Sequence, residues 1–187
     1  MAKIRIVTGD LIDPFDPKPE DIKPHAFIHS ICLLNRFTGN SAWPYSVGMH
    51  TLALLDYVPL HLKRAAMVHD WSEAWFNDLA SPVKFECHSY KTAEKRAGLF
   101  IADVMGVSPR ELEELDIYDK RIYSDERDAL FPNRKETGMG DEHSPLGVQP
   151  AYFQETPWRK TRRTLWVWFE NAFPEWHEVY HGDNPAR

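Results

Sequence analysis

The segment that decides the fold is LHLKRAAMVHDWSEAWF, residues 60–76, in which a His-Asp pair interrupts an apolar run. Its apolar residues recur at helical spacing, which predicts a helix with one buried face. His69 lies four residues before Glu73 on that helix, and Asp70 lies three before it, so the three ionisable groups meet within one turn. A charged carboxylate under apolar cover must be paired, hydrogen-bonded or bound to a cation. The segment therefore predicts a buried helix that carries a polar cluster.

The composition is that of an ordered globular protein. The chain has 187 residues, of which 43% are hydrophobic and 27% charged, and it contains seven tryptophans. A chain of this length can bury a sizeable core as one unit. We therefore expect a single domain over residues 1–187.

Several classes of partner are disfavoured by charge and hydropathy. The formal net charge is -6, and an acidic surface opposes binding to a nucleic acid polymer. No apolar run is long enough to span a membrane, and the first residues lack the pattern of a secretory signal, so we expect a cytoplasmic protein. A small anion held by a few local cations is still compatible with this charge.

Helical periodicity extends over most of the chain. The stretch IRIVTGDLIDP, residues 4–14, predicts a small hairpin before the main body. Residues 77–84 and 132–150 are predicted to be irregular, and the longer of these segments is a candidate lid or a mobile insertion. The fold class expected is all-α, a helical bundle with a small N-terminal hairpin. Its predicted helices cover residues 21–37, 45–58, 60–76, 89–105, 108–130 and 157–173.

Two further helices place ionisable residues on apolar faces. His50 lies in a stripe of apolar residues that has the spacing of a core-facing helix side. On the predicted helix at 108–130, Asp119 and Glu126 interrupt a seam that is otherwise apolar. Three separate helices therefore direct nitrogen or carboxylate groups inward.

Each of these residues also has a simpler interpretation. A lone histidine such as His50 is usually a hydrogen-bonded core residue, Asp119 could pair with Arg121 or Arg127, and Glu73 could be an ordinary surface charge. Taken together, the set of two histidines and two aspartates suits one divalent transition metal with open positions for water. The candidate metal ligands are His50, His69, Asp70 and Asp119, and the other seven histidines are assigned no role.

The sequence resembles the HD-domain metal-dependent phosphohydrolases, which are named for an adjacent His-Asp pair such as His69-Asp70. The resemblance is closest to their short nucleotide-hydrolysing branch, with bacterial 5′-deoxynucleotidases and phage deoxynucleoside triphosphohydrolases, including phage dATP triphosphohydrolases. It covers most of residues 10–131. The matching motifs are NRF (35–37), PYSVGMH (44–50), HDWSEAWFNDLASPVK (69–84), YKTAEKR (90–96) and DKRIYSDERDAL (119–130).

The resemblance implies an HD-domain fold and a role for each matched residue. His50, His69, Asp70 and Asp119 would bind the metal, which would be Zn, Co or Mn, with Fe, Ni and Mg as further candidates. Glu73 would handle the proton of the attacking water, and Asp78 would lie close to the sugar. These two residues are the expected catalytic residues. The expected substrate contacts are Arg36 on a phosphate or the sugar, Lys84 and Lys91 on phosphates, and Phe37 or Trp43 stacked on the base.

The chain departs from the family pattern at three positions, Phe37, Trp71 and Asn77. The family more commonly has tryptophan, a small residue and glycine there. The resemblance places these positions at the border of the nucleoside pocket, so they put the choice of substrate in doubt and not the type of reaction.

The function expected from the resemblance is hydrolysis of a deoxynucleoside triphosphate, with dATP favoured, to the deoxynucleoside and tripolyphosphate. The first alternative is a 5′-deoxynucleotidase that acts on monophosphates. A noncatalytic nucleotide sensor is an alternative of another class. The simplest alternative is a helical interaction module that binds no metal. Relatives suggest a homo-oligomer, either a dimer or a hexamer.

Overall fold

Helices make up most of the structure, a computed structural model that describes residues 3–135 and 143–176. Strands β1 (Ile4–Arg5) and β2 (Leu11–Ile12) form an antiparallel hairpin with Ile4 opposite Ile12. The α-helices are α1 (Pro24–Ile31), α2 (Val47–Tyr57), α3 (Lys63–Val68), α4 (Glu73–Phe76), α5 (Ser81–Glu86), α6 (His88–Val104), α7 (Pro109–Leu130) and α8 (Trp158–Ala172). The predicted helical class and the predicted hairpin are confirmed.

The long helices begin where their capping residues predict. Ser46 caps α2 by accepting a hydrogen bond from the backbone N–H of Met49. Ser108 and Glu111 form a reciprocal capping box at the start of α7, with Pro109 in the first turn. These local signals explain why the bounds of α2 and α7 agree closely with the prediction.

Two predicted bounds are wrong for reasons of tertiary structure. The helix predicted over 21–37 ends at Ile31, because residues 34–36 pair with residues 45–47 through hydrogen bonds such as Arg36 N to Tyr45 O. The segment predicted as irregular over 77–84 contains the start of α5, which has a proline in its first turn. Of the predicted loop at 132–150, residues 136–142 lie outside the described residues.

The helix predicted over 60–76 is interrupted in the structure. It divides into a short 3₁₀ helix at Leu60–Leu62, then α3 and α4, with residues 69–72 forming a tight turn between these two helices. Within this turn the N–H of Glu73 donates to the carbonyl of Asp70, three residues back. The prediction of one continuous helix over 60–76 is therefore wrong, although His69 and Glu73 still line the same cavity. Within the turn the hydrogen bonds link residues three apart.

The core is built around α2, which packs against α3 and α8. Gly48 allows this packing, since a Cβ atom at that position would lie 2.8 Å from Cys32 Sγ and 3.2 Å from Leu165 Cδ1. Trp71 is fully buried and stacks on Phe27, with ring centres 4.9 Å apart. Among the described residues, no helix has both the length and the apolar character required to cross a bilayer.

Candidate metal centre

Three of the four predicted ligands converge on one point. His50 is on α2, His69 follows α3 directly, and Asp119 is on α7. One potential ligand atom from each lies within 4.8 Å of the other two. The His50 and His69 Nε2 atoms are 3.2 Å apart, and Asp119 Oδ1 is 3.1 Å from His50 Nε2. This group could hold a metal ion.

The fourth predicted ligand, Asp70, lies beside this group. Its Oδ2 atom is 3.1 Å from His69 Nε2 and 3.7 Å from His50 Nε2. The same oxygen is 3.5 Å from Arg36 NH1, so Asp70 also balances a partly buried guanidinium. Asp70 is therefore placed to contribute an oxygen to an ion held by the other three.

The hydrogen bonds of the two imidazoles direct their lone pairs into the centre. The Nδ1 atom of His50 lies 2.6 Å from Glu126 Oε1, and that of His69 lies 2.9 Å from the Ala66 carbonyl oxygen. Both partners are acceptors, so each Nδ1 carries a proton, and each ring can offer its Nε2 to a metal once that atom has lost its own proton. Both Nε2 atoms also face carboxylate oxygens, so the point where they meet attracts positive charge. The donor set therefore fits a divalent cation.

The same arrangement shifts the pKa values of its members. Burial and Arg36 oppose the charged form of His50, but Glu126 and Asp119 outweigh them and raise its pKa to about 9. Burial would raise the pKa of Asp119, yet the neighbouring His50 and His69 lower it below its usual value. The cluster thus attracts positive charge, and without a metal that charge is supplied by protons. A metal bound here would displace them.

Glu126 is a component of the site to which no role was assigned from the sequence. Its side chain is fully buried, and besides His50 it accepts hydrogen bonds from Tyr45 Oη at 2.9 Å and from Arg36 NH2 at 3.2 Å. The interruption of the apolar seam of α7 was the signal for a buried acid. Its partners are far away in the chain, so only the folded structure identifies them.

Glu73, the predicted proton carrier, lines a cavity of about 830 Å³ beside the centre, together with His69, Asp70 and Asp119. Glu73 is 7% exposed, and within the described part of the chain its Oε2 atom has no hydrogen-bond partner. Burial raises its pKa well above the usual range, and the charges of Asp70 and Asp78 add to the effect. A raised pKa makes the ionised carboxylate a stronger proton acceptor.

Of the two predicted phosphate contacts, Lys84 lies in the same cavity as Glu73 and Lys91 does not. Lys84 Nζ is 2.8 Å from Glu94 Oε1 and 3.9 Å from Glu73 Oε1. Lys91 is exposed on α6, with its Nζ atom 5.7 Å from the centre of the Phe85 ring, and it lines neither cavity that flanks the centre. A phosphate contact by Lys91 stays a prediction.

A second cavity, of about 660 Å³, shares Asp119 with the first. Aromatic rings form part of its wall, and the Phe37 ring meets the Phe131 ring edge-on with centres 5.2 Å apart. Trp43, the other stacking candidate, does not line it and donates its indole N–H to the Phe153 carbonyl. The predicted substrate residues that line this cavity are Arg36, Phe37 and Asp78.

Two departures from the family pattern have structural explanations. Trp71 is a core residue, so the expectation that it borders the nucleoside pocket is wrong. Asn77 has φ 73° and ψ 157°, a conformation that is almost confined to glycine. This explains why glycine suits the position, and it places backbone strain next to Asp78.

Replacing Asn77 with glycine is expected to stabilise the protein by about 1 kcal/mol. Relief of the unfavourable conformation gains about 1–3 kcal/mol, and the greater freedom of glycine in the unfolded chain offsets about 0.5–1 kcal/mol of it. Urea denaturation measures the difference. Asn171→Gly, in the exposed part of α8, is the control and should lower stability. An Asn77→Gly variant that is no more stable than the wild type would show that the strain is absent.

Comparison with known proteins gives one distant relative. No model of a known protein family matches the chain. The uncharacterized protein YfdR of Escherichia coli (strain K12) is 29% identical over 90 residues, a match that covers 48% of this chain. The match spans about half of that protein, 51% of its length. The chain is thus similar to YfdR over a limited region.

Proposed function

We propose that the protein is a metal-dependent phosphohydrolase with an HD-domain fold, and that it hydrolyses deoxynucleoside triphosphates, with dATP favoured. The observation that carries the proposal is the convergence of His50, His69 and Asp119, with Asp70 beside them, next to two cavities that share Asp119. The resemblance of the sequence motifs supplies the reaction class. A single HD domain over residues 1–187 is part of the same proposal.

The cation would be held by His50, His69, Asp70 and Asp119. Two imidazoles and two carboxylates suit Zn, Co or Mn, and also serve Fe or Ni, with Mg the least suited to nitrogen ligands. When bound, a divalent ion supplies the charge that activates water near neutral pH and polarises a phosphoryl oxygen.

Glu73 is the residue that we assign to the proton of the attacking water. The water attacks the α-phosphorus, and the bond from that phosphorus to the 5′ oxygen of the deoxynucleoside breaks. Glu73 accepts the proton from the water, and the leaving 5′ oxygen takes up a proton to complete the deoxynucleoside. Among the residues that the structure describes, Glu73 Oε2 has no hydrogen-bond partner, and this observation and the position of Glu73 on the cavity wall support the role.

The two cavities suggest how the substrate is held. The aromatic cavity suits the nucleoside, with Phe37 against the base and Asp78 close to the sugar. Asp119 lines both cavities, so a substrate that spans them has its phosphate beside the centre. Arg36 and Lys84, on the two sides, would neutralise charge on phosphate oxygens.

A product assay tests the proposal. Protein purified without a histidine tag is incubated with each deoxynucleoside mono- and triphosphate and with Mn²⁺, Co²⁺ or Zn²⁺ in turn. We expect tripolyphosphate and deoxynucleoside from a triphosphate, with dATP the best substrate. Phosphate released from monophosphates alone would establish the 5′-deoxynucleotidase instead.

Two negative results would contradict any hydrolase. Metal and nucleotide binding without turnover would indicate the noncatalytic sensor. A protein that binds no metal would indicate the helical interaction module. Two further predictions stand beside this proposal, a homo-oligomeric state as a dimer or a hexamer and a cytoplasmic location. We expect the protein to bind a small deoxynucleotide and not a nucleic acid polymer or a membrane.

A further inference from the structure

We propose that Glu126 is the positioning residue of the centre, because its one buried carboxylate holds both the metal ligand His50 and the cation Arg36. The inference rests on the metal centre of the proposed function. It goes beyond that function by assigning a role to a residue outside the set of metal ligands.

The two oxygens of Glu126 have separate tasks. Oε1 accepts from His50 Nδ1 at 2.6 Å and from Tyr45 Oη at 2.9 Å, whereas Oε2 accepts from Arg36 NH2 at 3.2 Å. The first oxygen keeps the proton of His50 on Nδ1 and so turns Nε2 toward the other ligands. The second oxygen fixes the guanidinium whose other nitrogen lies 3.5 Å from Asp70.

Only a carboxylate satisfies this environment. Within residues 3–135 and 143–176, the three groups hydrogen-bonded to Glu126 are all donors. Glu126, Tyr45 and His50 are fully buried, so water does not replace a lost acceptor. A glutamine of the same shape offers one acceptor oxygen, and its amide nitrogen would face either Arg36 or the pair of His50 and Tyr45 as a second donor. One of the two arrangements must then be lost.

A simpler interpretation is that Glu126 only balances the charge of Arg36 in the core. That interpretation predicts reduced stability on substitution, with no particular effect on His50. The positioning role predicts, in addition, weaker metal binding and a less protected Nδ1–H on His50. The two interpretations therefore differ in what is measured at the imidazole.

The experiment compares wild type, Glu126→Gln and Thr51→Val, each purified without a histidine tag and stripped of metal with a chelator. Thr51 is buried on the same helix as His50, and its hydroxyl donates only to the Val47 carbonyl, so its variant controls for a lost buried hydrogen bond. Zn²⁺ alone is titrated into each protein by calorimetry. In the Zn²⁺-loaded proteins, NMR measures the exchange of the His50 imidazole proton with solvent.

We expect the Glu126→Gln variant to bind Zn²⁺ about 10–100-fold more weakly than the wild type and to exchange the His50 proton faster. Thr51→Val should stay within about threefold of the wild type. A Glu126→Gln variant with the Zn²⁺ affinity and the His50 proton exchange of the wild type would overturn the inference. So would a loss of Zn²⁺ affinity in Thr51→Val as large as that in Glu126→Gln. If Glu126→Gln does not fold, Glu126→Asp, which withdraws the carboxylate by one methylene, should show the same loss of affinity, and unchanged affinity in it would be decisive against the role.

Failure of this inference can be told apart from failure of the proposed function. If Zn²⁺ binding depends on Glu126 but no nucleotide is hydrolysed by the wild type, the positioning role stands and the hydrolase proposal fails. If the wild type hydrolyses nucleotides and Glu126→Gln binds Zn²⁺ normally, the hydrolase proposal stands and the positioning role fails. A wild type that binds no metal overturns both.

Discussion

The Glu73→Gln variant is expected to keep its metal and to lose about 10²–10⁴-fold in turnover. This is the range that a positioned acid or base contributes to a reaction. The amide has the shape of the carboxyl group but cannot accept the proton of the attacking water. Metal affinity should change little, since the three residues that converge on the centre do not include Glu73. Metal content and steady-state rates with the best substrate measure the two effects.

Glu113→Gln is the matched control for this experiment. Glu113 lines the same cavity but is exposed on α7, so its substitution removes one negative charge from the cavity wall without altering Glu73. We expect turnover close to that of the wild type. Equal losses of turnover in both variants would show that the total negative charge of the cavity wall is responsible. A Glu73→Gln variant with wild-type turnover would remove the proton-transfer role. Glu73→Ala should be as inactive as Glu73→Gln.

The His69→Ala variant is expected to lose metal binding and all measurable turnover. His69 Nε2 is close to ligand atoms of both His50 and Asp70, so its removal opens the centre on one side. Loss of a group that only orients a ligand costs about 10–100-fold in metal affinity, and loss of the ligand itself should cost more. Calorimetric titration with Zn²⁺ gives the affinity directly.

Thermal stability provides a second measurement of the same variant. A ligand at 100 times its dissociation constant stabilises the folded state by about 2.7 kcal/mol, so saturating Zn²⁺ should raise the melting temperature of the wild type. It should leave that of His69→Ala unchanged. His61→Ala is the control, since His61 pairs with Glu114 on the surface. A His69→Ala variant that responds to Zn²⁺ as the wild type does would refute the ligand assignment.

The sequence predicted the helices whose signals are local. Capping residues and apolar periodicity define α2 and α7 without reference to the rest of the chain. The end of α1 could not be predicted in this way, because it is set by pairing with the segment before α2. The interruption at residues 69–72 is likewise not encoded by a proline or glycine within the turn. There the winding is a property of the packed structure.

In the candidate site, too, burial could be predicted from local spacing, whereas the contacts between distant residues could not. Burial of His50 and Glu126 followed from the spacing of their apolar neighbours, and the structure places both inside. The pairing of these two side chains could not be read from spacing, since 76 residues separate them. The resemblance to the HD-domain enzymes placed position 71 at a pocket, without regard to the size of the tryptophan ring. A side chain of that size found space only in the core, against Phe27.

Gly48 has a consequence for the design of variants of this protein. It lies two residues before His50, and the close approach of Cys32 and Leu165 leaves no room for a side chain. Any larger residue would push neighbouring helices apart and carry the imidazole with them. Position 48 is therefore a poor choice for random libraries, even though it has no reactive atom. Diversity is better introduced at exposed positions such as Ser81 and Pro82, where the wall of the aromatic cavity can vary while the spacing of the ligands is preserved.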